Sequence, residues 1–422
     1  MRKLKLKFSL LLLWGVVLGF MCVNVCAEVP FEYKTGKAVF SVHAADGFIA
    51  AGSDDKNVYL FDSKGNLKWK KPTDGFVRSV YIADGYVAAG SFIVASEDLE
   101  VAENDPGTII KIVSTKDSRV YLFDTAGNLK WTYKTHGGVT SVHISGGYVA
   151  AATLSCNGYV YLFDMDGNLK WKFSNYPENE LMEKDCRGFE SVSISKNNVA
   201  AGLDVAGSKY RSGMIYFFDL NTGKLIRDYE AYGTVWDAYS TEDYTAAGSQ
   251  DGYVYLFDKD GYLEWSKKTG AGVNSVKIYK NYVAAGSDDG YAYLFDISGK
   301  KLWEHKEGTY LNEHVNSIDV SDEGIIVGTF LFTYLLDFNG NLKWKWSSDF
   351  TRDVSFGENY IAAGTGNGFV DIFEFGREYK KPLPVLNLII LGFGFIAIIS
   401  LAGVAYYYSK KGLKKKKKRE FN

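Results

Sequence analysis

The stretch that decides the fold is residues 59–69, which read Tyr-Leu-Phe-Asp-Ser-Lys-Gly-Asn-Leu-Lys-Trp. This pattern, an apolar run ending in Asp and followed by Gly, Leu and Trp, recurs in five further segments: Tyr121–Trp131, Tyr161–Trp171, Tyr255–Trp265, Tyr293–Trp303 and Tyr334–Trp344. Two more copies are degraded, one with Arg227 at the Trp position and one that ends at Glu374. An Ala-Ala-Gly-like segment precedes every copy, so the chain contains eight units of one internal repeat.

Each unit has the pattern of four short β-strands. A Ser-Val strand comes first, the Ala-Ala-Gly segment second and the Tyr-Leu-Phe-Asp segment third; a tight turn around Gly then leads into Leu-Lys-Trp. Four antiparallel strands in about 40 residues are typical of a propeller blade. A linear solenoid is the alternative, but a unit with a hairpin at each end closes radially. The sequence therefore predicts an all-β, eight-bladed β-propeller.

The sequence also predicts how the ring closes. The last copy lacks its fourth strand, whereas residues 31–36 (Phe-Glu-Tyr-Lys-Thr-Gly) match residues 131–136 (Trp-Thr-Tyr-Lys-Thr-His) in the second unit. We therefore expect the N-terminal segment to supply the outer strand of the eighth blade and to remove an open sheet edge. The ectodomain formed in this way spans residues 28–376.

The element formed by Asp62, Gly65 and Trp69 resembles the tryptophan-docking motif of the PQQ-like, quinoprotein alcohol dehydrogenase-like eight-bladed propellers. That group includes quinoprotein alcohol dehydrogenases and non-enzymatic outer-membrane assembly lipoproteins. WD-repeat propellers are the nearest competitor, but their Trp-Asp pair and Gly-His signature are missing. The tryptophans of the repeated motif are then expected to be structural wedges between adjacent blades: Trp69, Trp131, Trp171, Trp265, Trp303 and Trp344.

The net charge of −2 is a sum of unlike parts. Four basic groups and no acid lie in residues 1–27, and eight basic groups with one acid lie in residues 383–422. The body between them carries a net charge of −13. Because phosphate contacts need clustered Lys and Arg, this body is not expected to bind nucleic acid.

Both ends of the chain predict an exported, anchored protein. Residues 1–27 have a basic start, an apolar run and a small residue at the end, as in a signal peptide, although an uncleaved anchor is the alternative. After a linker at 377–384, residues 385–408 form an apolar run long enough for a transmembrane helix. The basic tail at 409–422 favours a cytoplasmic end. We expect a single-pass cell-membrane protein with its ectodomain outside the cytoplasm.

Four insertions depart from the short repeat, at residues 91–118, 172–190, 203–213 and 304–314, and strand order puts all of them on one face. Insertions on a single face favour a binding role for that face. The first reads as a hairpin in which residues 92–94 return as 109–113 about a turn at 104–107. A disulfide between Cys156 and Cys186 is predicted on the same face. The short linker directs the opposite, hairpin-bearing face toward the membrane.

Positions that vary among such similar copies are candidates for ligand contact. Those at and beside the Ser of the first strand are predicted to bind a ligand at the channel mouth: Arg78, Glu190, Trp236, Asp237, Arg352 and Asp353. Trp236 is either a stacking platform or a packed residue, and packing is the commoner role. His43 and His143 are either metal ligands or solvated channel residues, and solvation is favoured because no acidic or Cys partner has ligand spacing. We predict no metal site and no cofactor.

Two classes of function remain open. The first, which we favour, is a non-enzymatic binding or assembly scaffold whose inserted face docks a protein or an envelope glycan. The second is a PQQ- or metal-dependent dehydrogenase, for which Asp237 and Asp353 could offer carboxylates. The adjacent Cys pair of many quinoprotein enzymes is missing from this sequence. Self-association into an envelope layer is a third, weaker possibility.

Overall fold

The structure is a computed structural model that describes residues 30–93, 99–100, 111–112, 118–155, 158–174, 188–204, 212–308 and 313–376. These residues form eight four-stranded antiparallel sheets and one two-stranded hairpin. The prediction of an all-β propeller with four strands per blade is therefore confirmed. Within the same residues no helix has the length and apolar content needed to cross a membrane.

The strands are numbered in chain order, and each blade lists its strands from the inside outward. Blades 1 to 4 consist of β2 (Val39–Ala45), β3 (Phe48–Ser53), β4 (Asn57–Asp62) and β5 (Leu67–Pro72); β6 (Phe76–Ala83), β7 (Tyr86–Phe92), β10 (Arg119–Asp124) and β11 (Leu129–Lys134); β12 (Gly138–Ser145), β13 (Tyr148–Leu154), β14 (Tyr159–Asp164) and β15 (Leu169–Ser174); and β16 (Phe189–Ile194), β17 (Asn198–Leu203), β18 (Gly213–Asp219) and β19 (Leu225–Ala231).

Blades 5 to 8 consist of β20 (Val235–Ser240), β21 (Tyr244–Ser249), β22 (Tyr253–Asp258) and β23 (Leu263–Lys268); β24 (Val273–Tyr279), β25 (Tyr282–Ser287), β26 (Ala292–Asp296) and β27 (Lys301–His305); β28 (Val315–Ser321), β29 (Gly324–Thr329), β30 (Phe332–Leu336) and β31 (Leu342–Ser347); and β32 (Thr351–Phe356), β33 (Tyr360–Thr365), β34 (Phe369–Glu374) and β1 (Phe31–Lys34). The separate hairpin pairs β8 (Leu99–Glu100) with β9 (Lys111–Ile112).

The blades form a closed ring. The first strands of successive blades contact one another in order, and β32 of blade 8 contacts β2 of blade 1. The outer strand of blade 8 is β1, which pairs antiparallel with β34 from Phe31 opposite Ile372 to Lys34 opposite Phe369. The N-terminal segment therefore completes the last blade, as its match to residues 131–136 predicted.

The core lies between neighbouring blades. The second and third strands are buried almost throughout, whereas the fourth alternates exposed and half-buried residues at the rim. The Ala-Ala-Gly segments are small because the blades converge toward the axis: a Cβ on Gly52 would lie 2.7 Å from Cγ1 of Val77 in the next blade. Small residues on the second strand thus allow the large apolar residues of the next blade to approach closely.

The motif tryptophans join each blade to the next one. Five of them donate the indole N–H to a backbone carbonyl of the following blade at 2.9–3.0 Å: Trp69 to Thr125, Trp131 to Met165, Trp171 to Leu220, Trp265 to Ile297 and Trp303 to Phe338. Trp344 stacks on Phe373 of blade 8 with ring centroids 4.9 Å apart. The turn glycine packs under the indole; at Gly167 (φ 85°) an added Cβ would lie 2.6 Å from Trp131. The geometry is that of wedges between blades.

Two blade junctions use other residues at the Trp position. Between blades 4 and 5, the guanidinium of Arg227 lies 3.6 Å from the ring centroid of Tyr262. Between blades 8 and 1, Phe31 packs over Gly65, where an added Cβ would approach the ring to 2.3 Å. Arg227 and Phe31 each place a flat group at the position that the indole occupies at the other blade junctions. The spacing between blades is therefore kept.

The described ends of all four insertions lie on the same face, because each follows a second or a fourth strand of an antiparallel blade. In the first insertion, Leu99 pairs with Ile112 and Glu100 with Lys111. This register corrects the predicted pairing, because Phe92 belongs to β7, where it lies opposite Phe76; the predicted turn at 104–107 lies outside the described residues. The returning residues therefore meet a later segment than expected.

Several predictions fall outside the described residues and stay predictions. They are the signal at 1–27, the linker at 377–384, the membrane span at 385–408, the tail at 409–422 and the disulfide between Cys156 and Cys186.

Candidate functional site

The central channel is lined by the first strand of every blade. Each of these strands contains a register shift, a β-bulge, that inserts one extra residue immediately before the Ser or Asp of the repeat. The eight inserted residues, here called the mouth ring, are Phe40, Arg78, Thr140, Glu190, Trp236, Asn274, Asn316 and Arg352. All of them line one cavity of about 630 Å³, which runs along the channel from the mouth ring inward. The six predicted ligand-binding residues line the same cavity.

The next residue of each strand forms the acceptor ring: Ser41, Ser79, Ser141, Ser191, Asp237, Ser275, Ser317 and Asp353. Seven of these side chains accept a backbone N–H from the following blade at 2.9–3.3 Å. Val276 donates to Asp237 at 2.9 Å, and Val42 donates to Asp353 at 2.9 Å across the junction that closes the ring. The repeated Ser is therefore an inter-blade acceptor, and the two Asp residues perform the same task.

This arrangement changes the interpretation of Asp237 and Asp353. Asp353 also accepts from Ser317 Oγ at 2.8 Å, so both of its oxygens are engaged. Among the described residues no group of three or more His, Cys, Asp or Glu is arranged to hold a metal ion. The described channel does not fit the set of metal-binding carboxylates that a quinoprotein enzyme requires. We interpret both residues as joints between blades.

A deeper ring contains His43, Tyr81, His143, Ser193, Tyr239, Lys277, Asp319 and Ser355. The Tyr81 ring packs between the two imidazoles, with centroids 3.8 Å from His43 and 4.3 Å from His143. Each imidazole accepts a backbone N–H at Nδ1, from Ile82 and Ile194, at 3.3 Å. Burial, with a further contribution from the charge of Lys277, lowers the pKa of both histidines to about 3. The favoured expectation of solvated histidines does not hold for His143, which is only 8% exposed, whereas His43 is half-buried; both side chains line the channel cavity.

Lys277 is the cation of this deeper ring. Its ammonium lies 4.5 Å from the ring centroid of Tyr239. Burial alone would lower the pKa of Lys277, but the carboxylates of Asp237 and Asp319 outweigh burial and raise it. Burial in turn raises the pKa of Asp319, which accepts the Phe356 N–H at 2.8 Å. Lys277 is thus a positive charge on the channel wall that the nearby carboxylates of Asp237 and Asp319 stabilise.

The mouth ring divides into engaged and available side chains. Three members donate to the backbone carbonyl that precedes the bulge of the next blade: Thr140 to Phe189 at 2.6 Å, Asn274 to Val315 at 3.0 Å and Asn316 to Thr351 at 2.8 Å. Where the structure describes the chain, no such bond is formed by the remaining members: Phe40, Arg78, Glu190, Trp236 and Arg352. Four of these five are the mouth residues predicted from the sequence.

The available side chains of the mouth ring differ in charge from one side of the mouth to the other. Arg352 of blade 8 and Arg78 of blade 2 flank Phe40 of blade 1, with guanidinium carbons 4.4 and 5.7 Å from its ring centroid. Burial raises the pKa of Glu190 to about 7, although the positive charge of Arg78 opposes the shift. Trp236, on the blade opposite Phe40, is 37% exposed, so it is a surface for contact rather than a packed core residue. The mouth therefore offers a basic side and an exposed aromatic side.

Phe40 and Lys277 were not among the predicted site residues. A signal for Phe40 exists in the sequence, since it occupies the repeat position of Arg78 and Arg352. Lys277 was visible only as one of the varying residues two positions after the Ser. Its interaction with Asp237 and Asp319 exists only in the folded ring, where blades 5, 6 and 7 are neighbours.

Comparison with known proteins agrees with the fold. A family model described as outer membrane protein assembly factor BamB, of the PQQ-repeat type, matches residues 13–236, just over half of the chain. The computationally designed protein Ika8 superposes with a TM-score of 0.63 at 15% identity, covering 83% of this chain and 99% of that one. BamB from Moraxella catarrhalis superposes with a TM-score of 0.60 at 16% identity, covering 83% and 100%. No curated protein matches the chain.

Proposed function

The chain belongs to the family of outer membrane protein assembly factor BamB, and from this premise we propose that it is a binding and assembly scaffold that docks a partner on the inserted face. The observation that carries the proposal is the division of the mouth ring. Its available polar and aromatic side chains converge on one cavity of about 630 Å³, and the described ends of the four insertions surround the same face. Binding sites are typically concave and mix apolar surface with a few placed polar groups.

We further propose that the scaffold is non-enzymatic and anchored. The engaged oxygens of Asp353 and the neutral, packed histidines support binding rather than catalysis at the channel. The apolar run at 385–408 and the basic tail after it support a single-pass anchor, with residues 28–376 outside the cytoplasm. Protease added to intact cells is expected to digest the propeller and spare the tail; a protected propeller would contradict this topology.

Site-specific photocrosslinking in intact cells tests the docking face. A photoreactive amino acid replaces Tyr232, which is 76% exposed in the loop between β19 and β20 on the inserted face, or Trp236 in the mouth ring. The matched control is Leu129, which is 51% exposed on the fourth strand near the opposite face. We expect the same envelope protein to be captured from Tyr232 and Trp236 and not from Leu129.

Capture from Leu129 alone, or no adduct from either Tyr232 or Trp236, would contradict docking at this face. An adduct between two copies of this chain would instead favour self-association. A captured glycan would keep the scaffold role and change the class of partner.

A further inference from the structure

We propose that the basic side of the mouth ring binds an acidic peptide segment, whose carboxylates pair with the guanidiniums of Arg78 and Arg352 on either side of Phe40. The inference rests on the proposed scaffold function and specifies the chemistry of the partner. It concerns Arg78, Phe40 and Arg352, which blades 2, 1 and 8 bring together although they are widely separated along the chain.

The two guanidiniums are held by stacking. Five groups follow one another around the mouth, Phe350, Arg352, Phe40, Arg78 and Phe92, with the guanidinium carbons of the arginines 4.4 to 5.7 Å from the adjoining ring centroids. Stacking uses the flat faces of a guanidinium and leaves its in-plane N–H donors available. The arginines are therefore fixed in position without their hydrogen-bonding capacity being used.

Among the described residues those donors form no hydrogen bond to a protein acceptor. Within the part of the chain that the structure describes, neither arginine forms an ion pair with a carboxylate, and the Nε of Arg352 is buried without a hydrogen-bond partner. A buried donor without a partner is costly, and a carboxylate presents two oxygens that match the edge of a guanidinium. A ligand carboxylate would satisfy this donor.

Electrostatics also favour an anion beside the two arginines. Burial and then repulsion from Arg78 lower the pKa of Arg352, and the negative charge of Asp54 opposes this shift only in part. Glu190, the acidic member of the mouth ring, lies two blades away from Arg78. Its raised pKa of about 7 leaves it only partly ionised at neutral pH. A bound carboxylate would add negative charge where Asp54 and Glu190 offset the two guanidiniums only in part.

The surroundings select a small acidic segment rather than an extended polyanion. The body carries a net charge of −13, which repels a long anionic chain such as a nucleic acid. Phe40 and the exposed Trp236 add apolar contacts on opposite sides of the mouth. A cavity of about 630 Å³ admits a few side chains and not a folded domain. A peptide with an acidic residue next to an apolar one meets all three conditions.

Calorimetric titration of the full-length protein in non-ionic detergent tests the proposal. The probe is the capped peptide acetyl-Gly-Glu-Leu-Glu-Gly-amide, and its matched control replaces both Glu residues by Gln. Because a charge-assisted pair contributes more than a neutral hydrogen bond, the Glu peptide is expected to bind at least about tenfold more tightly. Equal affinity of the two peptides would overturn the proposal.

Variants locate the site. Arg78→Gln with Arg352→Gln is expected to lose at least about tenfold in affinity for the Glu peptide, whereas the double Lys variant should recover part of it, since Lys keeps the charge but not the planar edge. Lys68→Gln with Lys130→Gln removes two charges from the outer strands and should leave affinity unchanged. Circular dichroism and melting temperature confirm that each variant is folded. An unchanged affinity in the Arg double variant would overturn the proposal.

Two further results separate this inference from the function on which it rests. If Tyr232 and Trp236 still capture an envelope protein while the Glu peptide does not bind, the scaffold stands and the acidic ligand is wrong. A short oligouronate serves as the glycan probe. Tighter binding of this probe than of the Glu peptide would overturn the assignment to a peptide.

Discussion

The wedge layer near the rim and the mouth ring at the axis use the same repeat in opposite ways. At the wedge positions six of eight units carry Trp, and each indole contacts the following blade. At the mouth ring the eight units carry six residue types, and within the described part of the chain only Thr140, Asn274 and Asn316 bond to the next blade. Where the repeat is uniform it holds the blades together; where it varies, side chains remain available to a ligand.

The acceptor ring qualifies this rule. Asp237 and Asp353 vary from the usual Ser, yet each accepts a backbone N–H at the position where Ser does so elsewhere. A changed residue can therefore keep the repeat's structural task when its chemistry allows the same hydrogen bond. Availability is decided by the bonds a side chain makes, and variation alone is an incomplete guide to it.

The largest expected effect tests the wedge layer. Trp171 is 9% exposed and bonds to Leu220 at 2.9 Å, so Trp171→Ala should lower the free energy of unfolding by about 3 to 5 kcal/mol. At the next junction, Arg227→Ala removes only a half-exposed stacking contact and should cost about 1 kcal/mol or less. Urea denaturation followed by fluorescence measures both. Similar losses in the two variants would contradict the wedge role of the indole.

A smaller effect separates two adjacent residues of blade 8. Asp353→Ala removes the acceptor of the Val42 N–H and of Ser317 Oγ, and should cost roughly 2 kcal/mol. Arg352→Ala, one position earlier, breaks no hydrogen bond among the described residues and loses only the stacking on Phe40 and Phe350, so it should cost about 1 kcal/mol or less. The same denaturation experiment decides; equal costs would erase the distinction between the acceptor ring and the mouth ring.

The smallest expected effect is a pH dependence at the mouth. The pKa of Glu190 is raised from its usual value near 4.5 to about 7, so the folded protein binds a proton more tightly than the unfolded chain. The stabilisation that comes from a protonated Glu190 in the folded state is complete at low pH. It is lost as the pH rises from about 4.5 through 7. Glu190→Gln should therefore gain stability relative to wild type over this window, on the order of 1 kcal/mol after allowance for partial exposure.

The comparison curve comes from Glu242→Gln, which replaces an exposed carboxylate paired with Lys196 at 3.7 Å and controls for the loss of one negative charge. Parallel wild-type and Glu190→Gln profiles between pH 4.5 and 7 would show that burial does not perturb Glu190 as proposed.

Much of the fold could be predicted because it is periodic. The motif ending at Trp69 and its copies gave the number of blades, and the likeness of residues 31–36 to residues 131–136 gave the closing strand, now seen paired with β34. The channel position of Arg78, Glu190, Trp236 and Arg352 followed from the same alignment of copies. The register of the inserted hairpin could not be predicted from that alignment, because Leu99 and Ile112 belong to no repeat.

The sequence by itself determined the repeated blade, its closure and the residues that face the channel, because these depend on local patterns and on similarity between copies. Only the tertiary structure decided which channel side chains are engaged. The bonds concerned join residues 39 positions apart in Ser41 and Val80, and 311 apart in Val42 and Asp353. Ring closure brings such partners together, and with them the stacked arginines, whose available donors define the proposed site.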